Sequence, residues 1–325
     1  MRDLTQLQKQ LCDILQNGLP ICERPFAEIA EDLGVNQQEV LKQIGELKNF
    51  GIIRRFRAVI NPRALGKSST LVTAHIPHDR IEEIAEFVNS LPGVSHNYLR
   101  GNFYNLWFTL QEQTISEIEQ ILSNLKEHFG IDFHSLPVVR TFKLNVRFAI
   151  NNDNQNFANR IIPRPQEETV ELNYDEKAVL SNLQNELEIT AEPFAFLTDE
   201  DLEIEDVLRI IRKMINKGVI RRIAAVVDYR RLGFTANVLL ACQVSQENII
   251  DTGEKLAYSE MVSHCYERRT FEDWPYNLFA MMHSTSIDEI QKFVDDFTKA
   301  EKINSYQLLP TVAELKKEPV KYNLI

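Results

Sequence analysis

Cysteine is scarce in this 325-residue chain, and what there is does not pair up. Cys12, Cys22, Cys242 and Cys265 form no Cys-x-x-Cys pair and have no zinc-type spacing. That excludes a disulfide framework and a thiolate metal site as organising features. Positive charge is also in deficit. With 36 Lys and Arg against 47 Asp and Glu, the net charge is −11, which argues against a protein that wraps nucleic acid by charge alone. No apolar run is long enough to span a bilayer. The Met1-Arg2-Asp3-Leu4-Thr5 start lacks the apolar stretch of a signal peptide. The expectation is a cytoplasmic protein of two to three domains with several small cores.

What the chain does have is an internal repeat. Ser95-His96-Asn97-Tyr98-Leu99-Arg100, followed by Tyr104-Asn105-Leu106-Trp107, returns as Ser263-His264-Cys265-Tyr266-Glu267-Arg268 and Tyr276-Asn277-Leu278-Phe279. Upstream, Gly51-Ile52-Ile53-Arg54-Arg55 matches Gly218-Val219-Ile220-Arg221-Arg222, and Arg63-Ala64-Leu65-Gly66 matches Arg231-Leu232-Gly233. A repeat of half the chain predicts a protomer that contains its own pseudo-dimer.

Each half opens with helical periodicity. Residues 4–18 carry Leu7, Leu11, Ile14 and Leu15 at helical spacing and stop at Gly18. Pro25 opens a short helix that Gly34 ends, and Asn36 is an N-cap for a third helix over 37–50. Residues 52–60 are β-rich and are expected to form a hairpin, which completes a winged helix-turn-helix. Strand and helix then alternate as βαββαβ, a ferredoxin-like unit whose bare sheet face needs an equivalent partner. The expected fold class is α+β, two tandem winged helix-turn-helix plus ferredoxin-like repeats. The expected boundaries are 1–62 and 63–150 for the first repeat, a Pro-containing linker at 151–172, and 173–230 and 231–325 for the second.

The third helices test poorly as DNA readers. Gln37, Gln38, Glu39, Lys42, Gln43 and Glu46 are polar but not basic, and in the second copy Asp199, Glu200, Asp201, Glu203, Glu205 and Asp206 crowd the place where phosphates would lie. DNA binding is therefore not expected, and these helices read as scaffold or as a dimerisation surface.

Strand alternation places His96, Tyr98 and Arg100 on one sheet face and Ser95, Asn97 and Leu99 on the other; His264, Tyr266 and Arg268 repeat the first set. A polar trio on one sheet face is costly unless that face meets ligand or water. Arg matches a carboxylate through its bidentate fork, and His exchanges protons near neutrality. His283 has Gln111 at the aligned place of the first copy, so the two sites are expected to differ. Arg54, Arg55, Arg57, Arg221 and Arg222 form basic clusters beside the helices, open to three readings: phosphate contacts, carboxylate contacts or a solvated hairpin. Lys143 and Arg147 are similarly open. Trp107, Trp274, Phe279, Tyr104 and Tyr276 read as packing residues.

These residues carry a resemblance. The winged helix followed by βαββαβ resembles the Lrp/AsnC regulators. The Ser-His-x-Tyr-x-Arg and Tyr-Asn-Leu-Trp/Phe strings are more narrowly similar to the siroheme decarboxylases of heme d1 synthesis and the alternative heme pathway, enzymes usually built from two related subunits. The first half resembles one subunit type through 95–100 and 104–109, the second half the other through 263–268 and 274–283, so the chain looks like a natural fusion of both.

The resemblance implies a carboxy-lyase reaction: loss of two acetate carboxyls of siroheme as carbon dioxide, giving didecarboxysiroheme, with no cofactor besides the iron the substrate brings. It implies His96 or His264 as proton donor, Arg100 and Arg268 orienting carboxylates, and Tyr98 and Tyr266 beside them. Substrate contacts would come from Arg54, Arg55, Arg57, Arg222, His283, Trp107 and Lys143, with His96, His264 or His283 alternatively ligating the substrate iron. A homodimer through the helical segments is the implied assembly. The rival expectations are an Lrp/AsnC-type regulator that senses a small molecule, and a tetrapyrrole carrier without chemistry.

Overall fold

A computed structural model describes residues 4–144 and 169–324. The first half runs α1 (Gln6–Asn17), α2 (Pro25–Asp32), α3 (Gln37–Asn49), β1 (Ile53–Ile60), β2 (Ser68–Ala74), α4 (Ile81–Ser90), β3 (Val94–Arg100), β4 (Leu106–Glu112), α5 (Ile115–Phe129) and β5 (Phe133–Leu144). The second half follows with α6 (Tyr174–Leu183), α7 (Ile204–Asn216), β6 (Ile220–Val227), β7 (Ala236–Cys242), α8 (Ile249–Tyr258), β8 (Val262–Arg268), β9 (Leu278–Ser284), α9 (Ile287–Ala300) and β10 (Tyr306–Lys317). Most of the expected linker, and Arg147, lie outside the described residues.

The chain packs as two units, and each draws on both halves. The first joins the two helical segments, 4–66 and 169–233, with the C-terminal residues 322–324. Its helix starts follow local chemistry: Thr5 with Gln8 and Asn173 with Glu176 form reciprocal capping boxes, and Asn36 accepts from the Glu39 amide. Where α2 would recur, the second half has only a 3-10 turn, Ala195–Leu197.

The expected hairpin at 52–60 does not form. No Gly, Pro, Asn or Asp interrupts Ile53–Ile60, so the chain has no place to turn and runs on as one strand. Its backbone groups pair antiparallel with β6, with Arg57 opposite Ala224 and Phe56 opposite Ala225. There is accordingly no wing to carry Arg54, Arg55 and Arg57.

The second unit, 67–144 and 234–321, is an eight-stranded closed barrel in the order β10-β3-β4-β2-β5-β8-β9-β7. Each half contributes a βαββαβ set. The long strands β5 and β10 close the barrel by pairing first within their own half (with β2 and β7) and then with the other half (with β8 and β3). Closure removes the exposed sheet edges that an isolated ferredoxin-like unit would leave.

Alternation along the strands gives the barrel walls two faces. One is covered by helices: Val72, Val94, Leu106, Phe108 and Leu110 pack with residues of α4 and α5, and Val238, Leu240, Cys265, Ala280 and Met282 with residues of α8 and α9. The other faces inward, where Tyr104, Trp107, Leu136, Leu239, Ala241, Trp274, Phe279 and Leu309 form a third cluster with Met281 against it. This inner face, which receives side chains from both halves, is where polar groups collect.

Candidate active site

The repeated trios sit on the inner face. Tyr98 is paired with Trp107 and Tyr266 with Phe279, and both partners belong to the inner cluster. The His96 and Tyr98 rings lie 6.3 Å apart, and the Arg100 guanidinium carbon is 5.2 Å from the Tyr98 ring centre. The second copy repeats this, with His264 and Tyr266 6.1 Å apart and Arg268 4.9 Å from the Tyr266 ring. Aromatic faces hold each cation partly desolvated, an arrangement that favours a guanidinium.

Ser95 and Ser263 depart from strict alternation. Register shifts between Val94 and His96 and between Val262 and His264 mark a bulge at each serine, which re-aims its side chain. Ser95 Oγ thus lies 2.9 Å from His96 Nδ1, and Ser263 Oγ 3.1 Å from His264 Nδ1. Asn97 keeps to the helix side, where its amide donates to Asn89 Oδ1 at 3.0 Å.

Each arginine is anchored by the other half. Arg100 Nη1 donates to Leu309 O at 3.0 Å and to Thr311 Oγ1 at 3.1 Å, and Arg268 Nη1 donates to Leu136 O at 2.7 Å. The receiving carbonyls belong to a second repeat, Leu136-Pro137 and Leu309-Pro310, which sequence reasoning passed over. Arg100 Nη2 also reaches Met281 Sδ at 3.7 Å, and Thr311 Oγ1 donates to Asn237 Oδ1 at 2.9 Å. Arg100 is only 5% exposed.

Arg100 is thereby brought to the second-half histidines. Met281 is the register partner of His264, and His283, two residues further along β9, donates or accepts at Ser263 Oγ over 3.1 Å. Burial pushes the His283 pKa down to about 3, and the positive charges of Lys317 and Arg100 add to the effect. His283 is therefore a neutral imidazole at any ordinary pH. In the first half Ser95 instead meets the Thr109 hydroxyl at 2.7 Å, and Gln111 stands at the His283 position. The expected inequality of the two sites has this concrete form: two linked histidines in one, a histidine and a threonine in the other.

The remaining candidates are placed elsewhere. Lys143 is the register partner of Cys265, on the helix-covered face, and its ammonium donates to Ser259 O at 2.8 Å. There it caps the last turn of α8, as Lys316 does for Asn89 O at the end of α4. Trp107 is 1% exposed within the inner cluster and donates to Tyr104 O at 2.6 Å. Arg54, Arg55, Arg57 and Arg222 belong to the first unit, on β1 and β6. Arg54 is paired with Asp228 at 2.7 Å, while burial lowers the pKa values of Arg57 and Arg222 to about 10. Among the described residues no group of His, Cys, Asp and Glu has metal-holding geometry, and no helix is long and apolar enough to cross a membrane.

The two βαββαβ sets that build this barrel are AsnC-like ligand-binding domains. The family model for the AsnC-like ligand binding domain matches residues 64–143 and 231–316, and that for the siroheme decarboxylase NirDL-like HTH domain matches 8–54. The siroheme decarboxylase of Hydrogenobacter thermophilus is 33% identical over 316 residues, covering 96% of this chain and 94% of its own. The siroheme decarboxylase alpha subunit of Desulfovibrio desulfuricans is 40% identical over 153 residues, 47% of this chain and 88% of that one. The crystal structure of the siroheme decarboxylase NirDL, also solved in co-complex with an iron-uroporphyrin III analogue, superposes with a TM-score of 0.74 at 31% identity, covering 98% of this chain and 94% of that one. This chain belongs to the siroheme decarboxylase family, and it joins in one polypeptide two segments that relatives carry as separate subunits.

Proposed function

We propose that this chain is a carboxy-lyase that removes two acetate carboxyl groups from siroheme, and that the centre formed by His264, Ser263, His283 and Arg100 carries the chemistry. The supporting observation is the meeting of Arg100 from one half with the linked histidines of the other on a shared inner face. The iron tetrapyrrole analogue bound by the related NirDL is consistent with a substrate rich in carboxylates.

In each round an ionised ring acetate loses carbon dioxide. The carbon–carbon bond breaks, its electron pair stays on the methylene carbon and spreads into the macrocycle, and that carbon takes one proton to become methyl. The balance is one carboxylate and one proton in, one carbon dioxide and one methyl out, so no external oxidant or reductant is required. Arg100 orients a peripheral carboxylate. His264 delivers the proton and regains it from solvent. By the symmetry of the repeat, Arg268 and His96 are assigned to the second, simpler centre, where they hold substrate carboxylates. The reading carries a cytoplasmic enzyme that dimerises through its helical segments.

The test is anaerobic incubation of the purified protein with siroheme, followed by mass spectrometry of the extracted tetrapyrrole. Loss of two carboxyl groups is expected. Intact siroheme recovered from a confirmed complex would instead assign the protein as a sensor or carrier.

A further inference from the structure

Ser263 is 3% exposed and its hydroxyl has three neighbours: Met281 O at 3.2 Å, His264 Nδ1 at 3.1 Å and His283 Nε2 at 3.1 Å. A hydroxyl owns one proton and two lone pairs. The Met281 carbonyl can only accept, so the Ser263 proton goes there. Both remaining contacts must then be donated to Ser263, one by each imidazole. His264 is left with its hydrogen on Nδ1, and His283 with its hydrogen on Nε2.

We infer that Ser263 is a positioning residue that locks His264 in the Nδ1–H tautomer, so that His264 exchanges its catalytic proton at Nε2 alone. The inference rests on the decarboxylase reading for the word catalytic, but the tautomer follows from hydrogen-bond counting. The lock holds in both protonation states of His264, because imidazolium also donates from Nδ1. His283 completes it: kept neutral by burial, it satisfies the second lone pair of Ser263 without adding charge beside His264. Positive charge acts on His283 from Arg100 on β3 and Lys317 on β10.

The first half lacks the lock despite having the same Ser-His pair. Ser95 meets Thr109 Oγ1, which also accepts from the His96 amide at 3.2 Å. A threonine hydroxyl can give or take the shared proton, so the direction of the Ser95–His96 bond is not forced. Two residue differences on aligned strands, Met281 for Thr109 and His283 for Gln111, thus separate a histidine of fixed tautomer from one without it.

The experiment uses the full chain with 15N-labelled histidine and two-bond 15N–1H correlation of the imidazoles, without substrate. The parent is expected to show His264 as Nδ1–H. Ser263→Ala should convert it to a mixture or to Nε2–H, and Ser263→Thr should restore the parent pattern. With siroheme, Ser263→Ala should lower kcat about 100-fold while KM stays within a factor of about two, because a misdirected imidazole still leaves the carboxylate contacts intact. His283→Gln, the residue found at the aligned first-half position, provides a second variant if Ser263→Ala fails to fold, with a smaller shift in the same direction. An Nε2–H signal for His264 in the parent, or an unchanged His264 signal in Ser263→Ala, overturns the inference. If the tautomers behave as stated while the parent leaves siroheme intact, the positioning stands and the decarboxylase reading falls.

Discussion

Arg100 ends on Met281: its Nη2 lies 3.7 Å from the thioether sulfur, although the two residues are 181 positions apart and belong to different halves of the repeat. The guanidinium that alternation places beside His96 and Tyr98 therefore serves the centre containing His264. Arg100→Lys keeps the charge but loses the fork that spans Leu309 O, Thr311 Oγ1 and Met281. A charge-assisted contact to a carboxylate is worth about 1.5–3 kcal/mol, so KM for siroheme should rise about 10- to 100-fold with a smaller fall in kcat. A steady-state KM within twofold of the parent would remove Arg100 from substrate binding.

The two histidine sites should respond unequally. His264→Ala is expected to lower kcat about 100- to 10,000-fold, the usual contribution of a general acid, while leaving siroheme binding within a few-fold. His96→Ala should reduce binding more than turnover. Single-turnover rates and spectrophotometric titration separate these effects, and the reverse ranking would move the chemistry to the first-half centre.

His283 makes stability depend on pH with a definite sign. Its folded pKa of about 3 lies below the ordinary histidine value, so between pH 3 and about 6.5 the unfolded chain binds a proton that the folded chain does not. The associated stability is fully present above about pH 6.5 and is lost as pH falls towards 3. Each pH unit in that window costs up to about 1.4 kcal/mol. Denaturant midpoints for the parent and His283→Gln, compared at pH 7 and pH 4.5, should show the smaller acid loss in the variant. Equal losses would mean that His283 is not buried as a neutral ring.

Phe142 on β5 lies so close to Gly253 in α8 that an added Cβ would overlap its ring. The equivalent positions of the repeat, Leu315 on β10 and Ala85 in α4, pair a smaller strand residue with a larger helix residue. Gly253→Ala should destabilise the protein by about 1–3 kcal/mol through overpacking, despite alanine's better helix propensity. Adding Phe142→Leu should recover most of the loss. Chemical denaturation of the double-mutant cycle reads the coupling, and additive effects would contradict the contact.

Trp274 is buried in the inner cluster with its Nε1 hydrogen unpartnered. Replacing it by phenylalanine removes an unsatisfied donor while retaining an aromatic body. Trp274→Phe should therefore change stability by less than about 1 kcal/mol, and a loss above about 2 kcal/mol would reveal a partner for that N–H.

Much was legible in the linear order of residues. Capping pairs such as Thr114 with Glu117, and helix ends such as Gly130 at φ 69°, are local signals that local physics reads directly. The repeat made the two-fold architecture visible, and alternation along β3 and β8 correctly grouped His, Tyr and Arg. The hairpin at 52–60 was misread because β1 pairs with a strand 160 or more residues away, and the identity of a strand's partner is not a local property. Lys143, expected among the substrate contacts, pairs with Cys265 and donates to Ser259 O at the end of α8, a neighbour that likewise comes from the other half and is not a local property.

By itself, the sequence determined which residue types stand side by side on each strand, and that two copies of a His-x-Tyr-x-Arg string had to be accommodated. Only tertiary structure decided that Arg100 answers to the histidines of the other half, that Ser263 joins His264 to His283, and what form the difference between the two centres takes. The physical reason is that hydrogen-bond direction, burial and register arise from chain segments meeting across the closed barrel. Each depends on groups brought within a few ångströms by pairings far apart in sequence.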